Sequence, residues 1–74
     1  MSVKLSTLKR RLEAKTPSQL LLYFRGQQGM KKEDLIEAIG DRFDRDDDGL
    51  TTIEIIEKYK YDLVEGYIDM LSSI

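Results

Sequence analysis

The sequence predicts an all-α domain of four or five short helices, and three observations carry that prediction. Apolar residues recur at three- and four-residue spacing through most of the chain, the interval that gathers one face of a helix. Two short signatures, Thr16-Pro17-Ser18-Gln19 and Thr51-Thr52-Ile53-Glu54, have the composition of helix starts. No alternating apolar and polar run is long enough for a convincing strand, apart from a few residues around Leu50 to Ile53.

The first helix is expected over residues 3 to 15, where Leu5, Leu8 and Leu12 form an apolar stripe flanked by Lys4, Arg11 and Lys15. Long basic stems there are suited to covering apolar surface. Thr16 then caps a second helix with Pro17 at its first position and Gln19 placed to reach back to the cap amide. It is expected to run to about Arg25 and to end in a turn at Gly26-Gln27-Gln28-Gly29. A third helix, about Lys32 to Phe43, opens with Glu33 and Asp34 and buries Leu35, Ile36, Ile39 and Phe43. After an acidic loop, Thr51 caps a helix whose apolar positions are Ile53, Ile56, Tyr59 and Leu63. Gly66 lowers helix propensity and Asp62-Leu63-Val64-Glu65 resembles a fresh start, so a break or kink is expected near Lys60 to Asp62. The last segment then presents Leu63, Val64, Tyr67, Ile68 and Leu71.

Seventy-four residues make one small domain, at a size where a single core is marginal and a metal or a partner adds useful stability. The chain has no cysteine and no histidine, which excludes disulfides, thiolate or imidazole zinc sites, and Cys or His catalysis. Any metal chemistry is therefore oxygen chemistry, the province of calcium and magnesium. The amino terminus carries charge without a following apolar run, and no stretch has the length to cross a bilayer. The sequence thus reads as soluble, without membrane contact, and the lack of cysteine fits a cytoplasmic location.

The net charge of −2 conceals a split. Residues 1 to 32 hold eight basic side chains against the single acid Glu13, a balance of +7, whereas residues 33 to 74 hold four basic against thirteen acidic, a balance of −9. Such bipolarity fits contact between the two halves, head-to-tail association of copies, or an acidic partner for the basic end.

The most specific pattern is Asp44-Arg45-Asp46-Asp47-Asp48-Gly49, with carboxylates at alternate positions before a glycine. Alternate residues of a curled loop point inward, and hard carboxylate oxygens suit Ca²⁺. An apolar-periodic helix ends in Phe43 immediately before it, and a capped helix follows. This helix-loop-helix, about Lys32 to Tyr61, resembles the EF-hand superfamily as a single, atypical hand. The resemblance covers less than half of the chain and implies a calcium site.

The closing end departs from the family pattern. A bidentate glutamate ends the twelve-residue family loop, whereas the twelfth residue from Asp44 is Ile55, and Glu54 stands one place early. In a loop shortened by one residue, Asp44, Asp46, Asp48, the Leu50 carbonyl and Glu54 become the ligands, with Thr51 as helix cap and Ile55 as the first core residue. In a loop of full length, Thr52 acts through water and the closing ligand is missing. The short register is preferred because it accounts for Leu50, Thr51 and Glu54 together. Against both stands a metal-free acidic turn, in which Asp44 and Asp48 bond nearby amides while Asp46 and Asp47 face water.

Other chemistry is less well supported by the sequence. Lys4, Lys9, Arg10, Arg11 and Lys15 form a basic cluster suited to nucleic-acid phosphate or an acidic partner, without a recognisable docking motif for nucleic acid. No nucleophile stands with a base, and no catalytic residue is expected. The sequence therefore predicts a non-enzymatic calcium-binding or protein-interaction module, served by a protein partner or a homodimer. The alternative is a metal-independent adaptor or inhibitor that docks through its bipolar surface, and nucleic-acid binding ranks third. Tyr59, Tyr61, Tyr67, Ile68 and Leu71 suit an interface by residue type, although a chain this short needs most of them in its core.

Overall fold

A computed structural model describes residues 4–73, which form four α-helices and no strand. Helix α1 spans Leu5–Ala14, with Leu12 wholly buried on its apolar side. It stops where Pro17 approaches, because the ring of a proline disfavours helical geometry in the residue before it; Lys15 and Thr16 are both extended.

Helix α2 spans Pro17–Leu21 and begins in the expected capping box. The Gln19 amide donates to Thr16 Oγ1 at 3.2 Å and the Thr16 amide to Gln19 Oε1 at 2.9 Å. The helix does not end at Gly26. It widens into a π-helical segment, Leu22–Gln27, that carries the chain past Gly26. The turn falls at the far end of the expected Gly26-Gln27-Gln28-Gly29 segment, at Gly29, which adopts φ 65°, a left-handed conformation that glycine takes without steric cost. The Met30 amide closes back on the Phe24 carbonyl at 2.8 Å.

Helix α3 spans Lys32–Ile39, four residues shorter than its periodicity suggests. The Asp34 carboxylate accepts the Lys31 amide at 2.8 Å and so satisfies one free donor at the start of the helix. At the other end Gly40 takes φ 70°, turning the chain into a 3₁₀ turn over Gly40–Arg42. Phe43 therefore lies beyond the helix, although it still packs against the core.

Helix α4, Thr52–Ser72, is the central element and packs against α1, α2 and α3. The expected interruption occurs at Tyr59 (φ −112°, ψ 24°), one residue before the predicted Lys60 to Asp62 window. The chain then remains helical through Asp62 and Gly66, so no second helix start forms there. Leu50 to Ile53 include no strand either, since α4 begins at Thr52.

The core joins Leu12, Leu20, Phe24, Leu35, Ile39, Ile55, Ile56, Leu63 and Val64, with Tyr59 and Tyr67 nearly buried. On α4 the predicted Ile56, Tyr59 and Leu63 are buried and Ile55 is the first core residue, whereas Ile53 is only half-buried. Ile36 and Phe43 pack partly buried against this core. Tyr23, Phe24 and Tyr67 meet edge to face, with centroids 5.2 to 6.0 Å apart, a geometry favoured by the quadrupoles of aromatic rings. Gly66 lies where α3 crosses α4 against Ala38.

Candidate functional site

The acidic loop is held first by hydrogen bonds among its own residues. The Asp44 carboxylate accepts the Asp46 amide at 3.0 Å, and a 3₁₀ turn follows over Arg45–Asp47. Amides of Asp47, Asp48 and Leu50 then donate to the carbonyls of Asp44, Arg45 and Asp47 at 2.9 to 3.1 Å. Gly49 is not among the residues of positive φ, so the loop turns without the conformational freedom that a glycine provides.

One aspartate lies at the centre of the loop, and it is not one of the predicted ligands. Asp47 is buried, the one polar or charged side chain so placed among the described residues. Its carboxylate accepts the Tyr59 hydroxyl and lies 2.8 Å from the Lys58 ammonium. The Tyr59 oxygen in turn accepts the Asp44 amide at 3.0 Å, so a single hydroxyl joins both ends of the 3₁₀ turn to α4. Phe43 packs on the same ring, with centroids 5.2 Å apart. The non-helical dihedrals of α4 fall at the residue that makes these contacts.

The electrostatics follow from this geometry. Hydrogen bonds from Lys58 and then Tyr59 hold the Asp47 carboxyl below its ordinary range. The same carboxylate raises the Lys58 ammonium, and it raises the Tyr59 hydroxyl by accepting its proton in a hydrogen bond. Lys32 adds a second cation from α3, its ammonium 2.7 Å from the Asp48 carbonyl.

The predicted ligand set is not brought together. Asp44, Asp46 and Asp48 are exposed, and Asp44 is turned to its own loop amide. Glu54 is committed to the helix start, where its carboxylate accepts both the amide and the hydroxyl of Thr51 at 2.9 Å. Those two bonds lower the Glu54 carboxyl below its ordinary range. The Leu50 side chain packs against the core. Among the described residues no three or more carboxylates converge as a metal-binding group. Asp47 does not face water as the metal-free turn would have it, and the sequence pattern could not show this because its two partners lie eleven and twelve residues away on another element.

The basic cluster has a different fate. Lys4, Arg10 and Arg11 are exposed, while Lys9 and Lys15 are half-buried. The ion pairs of the described residues are Lys58 with Asp47 and Arg42 with Asp62 and Glu65, the latter two at 3.1 Å. None of the five basic residues of the cluster takes part. The positive end is therefore not neutralised by direct pairing with the acidic half. Tyr59 and Tyr67 lie in the core, Ile68 and Leu71 pack against it, and Tyr61 is 65% exposed. No helix among the described residues is long and apolar enough to cross a membrane. Comparison with protein-family models, curated proteins and solved structures finds no match to this chain.

Proposed function

We propose that the chain is a non-enzymatic, metal-independent protein-interaction module in which the EF-hand-like loop is a joint between α3 and α4. The observation that carries this reading is the occupation of Asp47 by Lys58 and Tyr59. A buried carboxylate needs a counter-charge and hydrogen-bond donors, and here an ammonium and a hydroxyl of α4 supply them, so the loop is fastened to α4 without an ion. The commitment of Glu54 to its capping box supports the same reading, since the resemblance would require that carboxylate to close the ion's shell.

Two surface features support a role in interaction. The basic end carries charge unspent on ion pairs within the described fold, and Leu22 and Tyr61 stand 70% and 65% exposed. Charged patches of this kind steer association and select partners of opposite sign.

A calcium titration followed by amide NMR tests the proposal. The expected result is that the Asp48 and Gly49 amides hold their positions up to millimolar calcium. A large Gly49 shift that saturates at one equivalent and disappears in Asp44→Ala would overturn metal independence and establish the loop as a calcium site.

A further inference from the structure

A groove of about 420 Å³ opens between α1 and the π-helical segment, lined by Leu8, Arg11, Leu12, Lys15, Tyr23 and Gln27. Its size lies within the range of about 300 to 1,000 Å³ that is usual for ligand clefts. Leu8 and Tyr23, each partly buried, give the groove an apolar floor above the wholly buried Leu12. Arg11 in the last turn of α1 and Lys15 just beyond its end both line the groove, and Lys4 flanks the helix at its start. Among the described residues no carboxylate lines the groove. The opposite wall is set in advance, because the Tyr23 hydroxyl is hydrogen-bonded to that of Tyr67 at 3.2 Å and its ring meets Phe24 edge to face. Wider π-helical turns of this kind often accompany functional sites.

We propose that this groove docks an acidic amphipathic helix of a partner protein. The proposal rests on the interaction reading above and specifies the partner's chemistry. Apolar side chains of the partner enter against Leu8 and Tyr23, and its carboxylates meet Arg11 and Lys15. Charge complementarity selects the sign of the occupant, and the apolar floor selects an amphipathic one over a simple polyanion. A second copy is disfavoured because the acidic helices α3 and α4 already bury their apolar faces in their own core. A nucleic acid would leave the apolar floor unused, and the acidic half of the chain would repel it.

Fluorescence anisotropy with three labelled probes tests this proposal: a helix of leucine and glutamate at amphipathic spacing, its counterpart with lysine for glutamate, and polyglutamate of equal length. The glutamate helix is expected to bind the full chain about tenfold more tightly than either of the other probes. Arg11→Glu/Lys15→Glu should weaken that binding about tenfold or more, while Arg10→Glu/Arg25→Glu, with the same change in net charge away from the groove lining, retains most of it. Circular dichroism checks that both double variants fold.

Equal losses in the two double variants, polyglutamate binding as tightly as the helix, or no anisotropy change with the glutamate helix would each overturn the proposal. So would self-association of the chain that is abolished by Arg11→Glu/Lys15→Glu, because the occupant would then be a second copy. Tighter binding of an oligonucleotide to the same groove would also overturn it. These outcomes leave metal independence to be decided by the calcium titration.

Discussion

The carbonyl oxygen of Ala38 lies 1.8 Å from the place a β-carbon on Gly66 would occupy, so α3 and α4 cross at a distance that only glycine permits. Gly66→Ala should destabilise the fold even though alanine is the better helix former by about 1 kcal/mol. The overlap is with backbone and cannot be relieved by turning a side chain, so the overpacking cost of about 1 to 3 kcal/mol should prevail. Gly26→Ala provides the contrast, since nothing lies within 4 Å of its added carbon and the position is helical. Urea unfolding should move the two midpoints in opposite directions. A higher midpoint for Gly66→Ala would disprove the close crossing.

Gly66 also shows which parts of the fold were legible in the sequence. Its local signal, low helix propensity beside a resemblance to a fresh cap, pointed to a break, whereas its role comes from a residue twenty-eight positions earlier on α3. Signals confined to one turn fared better: both threonine capping boxes formed where they were read, because donor, acceptor and cap lie within four residues. The extension of α2 past Gly26 and the burial of Asp47 depend on neighbours distant in sequence. Of the candidate site, the sequence revealed the acidic loop and its flanking helices. It did not reveal that Lys58 and Tyr59 would meet the loop from α4.

Acid should release part of the loop's attachment to α4. The Asp47 carboxyl is lowered in the fold, so its contribution to stability is complete above the ordinary carboxylate value and is lost as pH falls through the lowered one. Lys58, which is raised, remains charged throughout that range. Asp47→Asn should therefore lower stability at neutral pH and flatten the acid limb of a stability-against-pH curve. If wild type and Asp47→Asn lost stability in parallel below pH 4, the Asp47 contact would carry none of that limb.

Glu54 separates the capping role from the ligand role. Thr51→Ala removes the side-chain cap of α4 and should cost about 0.5 to 2 kcal/mol, measurable by chemical unfolding. Glu54→Gln keeps an oxygen that can accept the Thr51 amide, as glutamine does in capping boxes generally, and should leave the unfolding midpoint nearly unchanged. For a closing calcium ligand the same replacement would abolish metal-dependent stabilisation. A midpoint that rises with calcium in wild type and not in Glu54→Gln would assign Glu54 to the ion instead.

Alkaline conditions should act through Tyr67. Burial is the largest cause of its raised pKa, followed by the hydrogen bond with Tyr23 across 3.2 Å. In the unfolded chain its phenol ionises near the ordinary value of 10.0, while the folded chain resists ionisation. The neutral form is thus preferred by the fold: its contribution is complete below pH 10 and is lost as pH rises towards the raised value. Lys58 and Tyr59 are raised as well and act in the same direction, so the alkaline limb of wild type combines several groups. Tyr67→Phe subtracts only the Tyr67 share and, because phenylalanine keeps the ring against Phe24, preserves most of the aromatic packing. Its stability curve should fall less steeply above pH 10 than that of wild type, and one late-titrating phenol should disappear from the tyrosinate absorbance of the folded chain. Unchanged alkaline limbs would mean that the Tyr67 hydroxyl reaches solvent freely.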